Sequence, residues 1–266
     1  METSTNIKEI VKKKYGTIAN ESNKVNGCGC WCDSDKTLEY SFIGDDYSKL
    51  DGYSKEADLG LGCGLPTEFA NLKKGNVVVD LGAGAGNDVF VARSLVGKTG
   101  KVIGIDMTEE MIKLADSNKE KLGYKNIDFR LGEIEDLPVE KDSTDVVISN
   151  CVLNLVPDKV KAFSEIHRIL KKDGHFCISD IVLNGDIPRG LKESAELYAG
   201  CVAGALQKDE YIKTINNAGF KNVEVKQSKT VTIPDDILNK YLTDEQLVQY
   251  NNSGIGIYSI TVVGEK

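Results

Sequence analysis

The stretch "NVVVDLGAGAGNDVF", Asn76 to Phe90, decides how the rest of the chain is read. Its β-branched run predicts a buried strand. The run ends at Asp80 and Leu81 and passes into Gly82, Gly84 and Gly86, which let the backbone turn sharply and approach a ligand closely. Asn87 and Asp88 follow, placed to cap a helix over "DVFVARSLVG" that stops at Gly97. Strand, glycine turn and helix in immediate succession form the opening unit of a parallel sheet with helices on its faces. The spacing departs from the dinucleotide pattern G-x-G-x-x-G, because Asn87 stands where the last glycine would be. Asp80 and Asp88 flank the loop. Acids there suit a ligand carrying an amino group better than one carrying a pyrophosphate.

The alternation continues downstream. "KVIGID" is a second strand closed by Asp106, and "MTEEMIKLADSNKEKLG" is a helix with Thr108 as N-cap, Glu109 and Glu110 in its first turn and Gly123 as its stop. "NIDFRLG" and "TDVVISN" are the third and fourth strands. "VKAFSEIHRILKKDG" is a helix with Val160, Phe163, Ile166 and Leu170 on one face, closed by Lys171, Lys172 and Gly174. "HFCISDIV" is the fifth strand. Helical stretches around Leu191–Leu206 and Asp209–Ala218 and two closing strands, "NVEVKQSKTVTI" and "IYSITVVGE", complete the pattern. The short links between elements predict an α/β, doubly wound, mostly parallel sheet. Residues 1–66 carry only a short helix near Ile7–Tyr15 and scattered aromatics (Tyr40, Phe42, Tyr47, Tyr53), which suggests a loop-rich cap. The expected division is 1–66 cap, 67–183 Rossmann-like domain and 184–266 closing elements.

Composition narrows the function classes. Among 266 residues, 41 acids outnumber 33 bases, for a formal net charge of −8. That disfavours a polyanion partner such as DNA. No apolar run approaches membrane-spanning length. The opening "METSTNIKEIVKKKYG" has no apolar core followed by a cleavage site, so the expected compartment is the cytosol, where thiols stay reduced. Seven cysteines there are metal-binding, catalytic or buried more often than disulfide-bonded.

Ligands of such sheets lie beyond the carboxyl ends of the strands. Asp106, 20 residues after Gly86, is placed to accept hydrogen bonds from both ribose hydroxyls of a nucleoside. "GEIEDLP", Gly132–Pro138, follows the third strand, where an adenine can lie against Ile134 beside acids. From Val77 to Asp180 these pieces resemble the class I S-adenosylmethionine-dependent methyltransferases. The resemblance implies S-adenosylmethionine as cofactor, contacted by Asp80, Gly82, Gly84, Gly86, Asn87, Asp106, Met107, Glu133, Ile134 and Asn150.

The cysteines sharpen the resemblance. "GLGCGLP" with Cys63, "NCVLNLVPDK" with Cys151 and "GCVAGAL" with Cys201, in that order around "DLGAGAGND" and "GIDMT", are similar to the arsenite methyltransferases over most of residues 7–234. In that family the matching cysteines bind trivalent arsenic, and an N-terminal cysteine also acts, which brings in Cys32 beside Cys28 and Cys30. The resemblance implies arsenite as substrate, a thiol reductant (thioredoxin or glutathione) as co-substrate, thioredoxin as a partner, and arsenic detoxification in the cytoplasm. The chemistry is coherent. Trivalent arsenic is soft and prefers sulfur ligands. Bound by three thiolates, it keeps a lone pair that can attack a methyl group on a sulfonium leaving group. No general base is needed, which fits a chain with two histidines and no recognisable catalytic pair. Cys177, mid-strand, is expected to be a small core residue. His167 and His175 are expected to be structural or solvent-facing. For "NGCGCWCD", Asn26–Asp33, a zinc site, an exposed functionless loop and a mobile thiol relay stay open, the relay being favoured because glycines loosen the loop. Two other functions stay open as well: a methyltransferase for another small acceptor, and a thiol-based metalloid-binding protein without transferase activity.

Overall fold

The structure is a computed structural model that describes residues 4–25, 45–185, 204–231, 239, 242–243, 245–248 and 256–266. Strands β1 (Val77–Leu81), β2 (Lys101–Asp106), β3 (Ile127–Leu131), β4 (Thr144–Asn150) and β5 (Leu170–Asn184) pair in parallel in the order β3-β2-β1-β4-β5. A two-residue strand β6 (Leu206–Gln207) joins the end of β5. Strands β7 (Lys221–Val231) and β8 (Gly256–Glu265) complete the sheet antiparallel, with β8 against β5. Around it lie α1 (Ser4–Val25), α2 (Pro66–Phe69), α3 (Asn87–Val96), α4 (Glu109–Leu122), α5 (Lys159–Ile169) and α6 (Lys208–Asn217).

The period-2 alternation of strand side chains builds two cores from one sheet. Val79, Leu81, Ile103, Val147 and Ile178 point to the face covered by α5 and α6, where Phe163, Ile166, Phe176, Tyr211 and Phe220 pack. Val78, Val102, Val146, Ile148 and Cys177 point to the other face, with Phe90 of α3, Met111 of α4 and Ala19 of α1. A third buried cluster sits at the carboxyl end of the sheet and holds Cys63 and Cys151.

Several local expectations are corrected. The opening helix runs far beyond Tyr15. Gly16, Asn20 and Ser22 weaken its helical signal, but packing decides: Tyr15, Ile18 and Ala19 join the α3/α4 core. Gly16 permits close approach to α4, since a Cβ there would lie 3.3 Å from the Glu110 carboxylate. Asn87 and Asp88 do not cap α3. They are its first two residues, and the cap position is Gly86 at φ +99°. Thr108 occupies the cap position of α4 without capping it, because its amide and hydroxyl both serve Asp106. Helix α5 ends at Ile169, and Lys171–Gly174 already belong to β5, where Lys171 Nζ pairs with Asp145 Oδ1 at 2.8 Å. Its buried face is Ala162, Phe163, Ile166 and Ile169, whereas Val160 in the first turn is 62% exposed. Of the expected helix at Leu191–Leu206, Leu206 is in β6 and residues 191–203 lie outside the described residues, as do Tyr40 and Phe42.

Gly104 in β2 is a tight spot under the glycine loop. An added Cβ would sit 2.6 Å from two Phe129 ring carbons and 2.9 Å from Ala83 Cβ. Overpacking of this kind costs about 1–3 kcal/mol. Gly104→Ala is therefore expected to lower Tm by several degrees in calorimetry. An unchanged Tm would show that the loop has slack there.

Candidate active site

The carboxyl ends of β1, β2 and β4 open into one cleft. Its wall begins with the glycine loop. Gly82 N–H and Ala83 N–H both donate to Ile105 O, at 2.7 and 2.9 Å, so the loop is pinned to β2. Gly82, Gly84 and Gly86 all have positive φ, at +69°, +51° and +99°. Their surroundings differ. A Cβ on Gly82 would strike Val152, and one on Gly86 would lie 2.9 Å from the rings of Phe90 and Phe129, whereas one on Gly84 would meet nothing within 4 Å. Gly84 thus faces open cleft. Gly82 also lines it, and Gly86 shapes the turn beneath.

Three carboxylates converge behind the loop. Asp80 is the penultimate residue of β1, and its carboxyl is held well above the usual range by burial and by the neighbouring Asp88 and Asp106. Burial pushes Asp88 up to about 6, against hydrogen bonds from Asn150 and Tyr47. Asp106 is raised by burial as well, although it accepts Gly84 N–H at 3.0 Å and Thr108 N–H at 2.9 Å. The Thr108 hydroxyl and Met107 N–H also serve Asp106, so its carboxylate already faces four donors of the chain.

Along the cleft, Met107, Ile134, Val152 and Val156 supply apolar wall. Glu133 and Glu135 flank Ile134, and both carboxylates are held by Lys8 of α1, at 2.8 and 2.9 Å. Lys8 is the sole cation among the described residues that line the cleft. Helix α1 thus lies over this end, with Val11 and Tyr15 facing in. This contribution from the first residues had no signal in the sequence beyond helix propensity.

The thiols come next. Cys151 follows β4 directly, lines the cleft and adopts φ +60°, rare for a non-glycine residue. Its amide donates to Ser179 O at 2.8 Å. Cys63 is fully buried behind Gly62, which forms the wall itself. Asn150 anchors it, with Oδ1 accepting Cys63 N–H at 2.9 Å. Cys63 and Cys151 share one apolar cluster with Val11, Leu155, Ile181 and Ile257. Cys28, Cys30, Cys32 and Cys201 lie outside the described residues. Cys177 is core. Its Sγ donates to Pro66 O at 3.2 Å, and burial drives its pKa upward. His175 Nε2 contacts Ala70 O at 2.7 Å, and His167 stacks edge-on against Phe220, so neither ring faces the cleft.

Sequence reasoning passed over Tyr47 as one scattered aromatic. It is buried in the cleft, with its hydroxyl 3.0 Å from both Asp88 carboxylate oxygens. The acidic patch, the open space at Gly84 and the buried Asn87 Oδ1, which has no hydrogen-bond partner among the described residues, fit a ligand with a cationic end and hydrogen-bond donors. An S-adenosylmethionine molecule has that chemistry.

Comparison with known proteins agrees. A methyltransferase domain model matches residues 72–219. The chain is 38% identical over 252 residues to the arsenite methyltransferase of Halobacterium salinarum, covering 91% of this chain and 64% of that protein. To the arsenite methyltransferase of Aquipseudomonas alcaligenes it is 36% identical over 243 residues, covering 89% and 68%. The chain thus spans about two thirds of the length of these relatives. The crystal structure of an arsenic(III) S-adenosylmethionine methyltransferase from Chlamydomonas reinhardtii superposes with a TM-score of 0.65 at 35% identity, over 77% of this chain and 67% of that one. With the class I methyltransferase fold, the cleft at the end of β1 and these relatives in view, the chain belongs to the arsenite methyltransferase family.

Proposed function

We propose that this chain transfers the methyl group of S-adenosylmethionine to trivalent arsenic, with arsenite as the starting substrate. The observation that carries the reading is the joint burial of Cys63 and Cys151 in one apolar cluster beside the cofactor cleft, with Cys151 in its wall and Cys63 behind it. The cofactor supplies an electrophilic methyl group on a sulfonium that is itself a good leaving group. Asp80 and Asp88 give its amino end a negative pole. Asp106, which lines the cleft, offers its carboxylate to the ribose hydroxyls in exchange for some of its present donors, and Ile134 offers an apolar face to the adenine. Gly82, Gly84, Asn87, Met107, Glu133 and Asn150 complete the wall, with Gly86 shaping the turn. Cys63, Cys151 and Cys201 hold arsenic through sulfur, which directs its lone pair outward. Holding the reacting atoms in line is a positioning effect, and such effects are large.

Each methyl transfer oxidises arsenic from the trivalent to the pentavalent state. Two electrons must return before another cycle, so we assign a thiol reductant, thioredoxin or glutathione, as co-substrate and thioredoxin as a partner. No helix among the described residues is long and apolar enough to cross a membrane. The cytoplasm, with its reduced thiols, is the proposed compartment, and the role is arsenic detoxification. The deciding assay mixes the purified chain with arsenite, S-adenosylmethionine and a thiol reductant and separates arsenic species by chromatography. Methylated arsenic is the expected product. Cofactor turnover onto an organic acceptor, or no turnover, would overturn the reading.

Three further outcomes are expected. Cys151→Ser and Cys63→Ser should each slow methyl transfer by about a hundredfold or more, since a hydroxyl does not replace a soft thiolate and misplaced arsenic is not attacked efficiently. Cys177→Ser should keep most of the activity, and equal losses in all three would point to packing instead. Asp106→Ala removes charge-assisted acceptors contributing about 1.5–3 kcal/mol, or roughly 10- to 100-fold in cofactor Kd. Titration calorimetry showing wild-type affinity in the folded variant would remove Asp106 from the site. Affinity should also depend on pH. A cationic ligand favours ionised Asp88, whose carboxyl sits at about 6 without it. Protonation competes as pH falls through that value, so affinity should drop by about a factor of four between pH 7 and 5.5 from Asp88 alone. Asp88→Asn should flatten that part of the profile.

A further inference from the structure

The hydroxyl of Tyr47 joins three segments that are distant in the chain. It donates to the Asp88 carboxylate, lying 3.0 Å from each oxygen and 3.1 Å from Gly64 O. It accepts from Asn150 Nδ2 at 2.5 Å. Asn150 Nδ2 also reaches Gly64 O at 2.9 Å and Asp88 Oδ2 at 3.1 Å, while Asn150 Oδ1 holds the Cys63 amide. One connected network therefore links the first turn of α3 behind the glycine loop, the last residue of β4 next to Cys151, and the Cys63–Gly64 segment.

The seat of that segment is tight. A Cβ on Gly62 would lie 2.6 Å from Asn150 Nδ2, and one on Gly64 would lie 2.5 Å from Ser179 Oγ. Ser259 Oγ donates to Cys63 O from the far side. Tyr47 itself is 4% exposed. Burial beside Asp88 keeps its phenol protonated, so it remains a neutral donor. Hydrogen bonds to a charged acceptor are the strong members of such a network, and their strength follows the charge on the acceptor.

We propose that Tyr47 is a positioning residue that couples occupancy of the cofactor cleft, sensed at Asp88, to the seating of the Cys63 thiol through Asn150. A cationic ligand at Asp88 fixes that carboxylate in place. Tyr47 and Asn150 then donate to an acceptor that no longer shifts, and Asn150 is held where its Oδ1 grips the Cys63 amide. The inference rests on the arsenic-binding role proposed for Cys63, but the linkage itself is a property of the cleft with or without arsenic. Coupling of this kind is reciprocal, so a better-seated Cys63 also favours the cofactor.

The test therefore uses a probe that contains no arsenic. Full-length protein is treated with iodoacetamide, with and without saturating S-adenosylhomocysteine, and alkylation of Cys63 is followed by peptide mass spectrometry. A buried thiol reacts through local opening, so its rate reports how firmly the segment is seated. In the wild type, S-adenosylhomocysteine should slow Cys63 alkylation by about fivefold or more, the usual scale of site-to-site coupling. In Tyr47→Phe, which deletes only the hydroxyl, protection should fall below about twofold at saturating ligand, while the core thiol Cys177 stays as slow as in the wild type. Asn150→Ala cuts the same network at its other link and is the second arm, with the same loss expected. Wild-type protection of Cys63 in either folded variant overturns the proposal, as does an absence of protection in the wild type. A companion measurement separates the two readings. If wild-type protein yields no methylated arsenic while Cys63 protection still depends on Tyr47, the arsenic role fails and the coupling stands. If methylated arsenic forms, Tyr47→Phe should lower kcat far more than it raises the cofactor KM, and a change confined to KM counts against the coupling.

Discussion

The reversal of strand order between β1 and β4 is the constraint on which the chemistry of this molecule depends. β1 passes the chain to β2 on one side, and the chain returns through β4 on the other. The two connections leave in opposite directions, so a crevice opens between the carboxyl ends of these strands. What the sequence places at those ends is what the cleft contains: Asp80 and the glycine loop on β1, Asp106 on β2, Asn150 and Cys151 on β4. Strand register does the rest. Val78 and Asp80 must share a face because side chains alternate, so Asp80 is carried under the start of α3 beside Asp88.

That placement has an energetic consequence. Burying carboxylates near one another disfavours their charge. At Asp88 the rise to about 6 corresponds to about 3 kcal/mol held against the ionised form. That is what remains after Tyr47 and Asn150 have offset part of the burial by donating hydrogen bonds. A ligand with a positive end relieves the remainder, so the cleft discriminates for charge before any shape is considered. The pairing of Lys8 with Glu133 and Glu135 prevents the same strain at the other end, where the wall around Ile134 is apolar.

The parts of the fold legible in the sequence were those governed by local physics. The five parallel strands, the glycine turn and helices α3 and α4 follow from β-branched runs, positive-φ glycines and helix stops. The helix ends were misjudged where a side chain found a better partner than the helix. Asp88 is drawn away from capping by Tyr47 and Asn150, and the Thr108 hydroxyl by Asp106. Lys171 looks like a helix-terminal cation in sequence but pairs with Asp145 across the sheet. Candidate site residues at strand ends were legible because topology fixes where strand ends lie. Tyr47 and Lys8 were not, because nothing in the surrounding residues marks contacts made 103 and 125 positions away.

Two described thiols, Cys151 in the cleft wall and Cys63 buried behind it, share one apolar cluster. Among the described residues no cluster of three His, Cys, Asp or Glu side chains is arranged to bind a metal ion. Cys63 and Cys151 are enclosed instead by Val11, Leu155, Ile181 and Ile257. A hard divalent cation needs oxygen ligands or retained water, which these aliphatic side chains do not offer. A soft centre that bonds covalently to sulfur needs only the thiols and loses little by leaving water. The backbone of Cys151 is itself constrained, with a positive φ. Backbone in that region costs of order 1 kcal/mol or more for a non-glycine residue and persists only where its surroundings enforce it. Here the Cys151 amide is fixed to Ser179 O and the preceding Asn150 is fixed to Cys63 and Tyr47. The strain is therefore held by the same contacts that fix the Cys63 segment, so the polar network under the cleft ties the backbone of both cysteines into one connected structure.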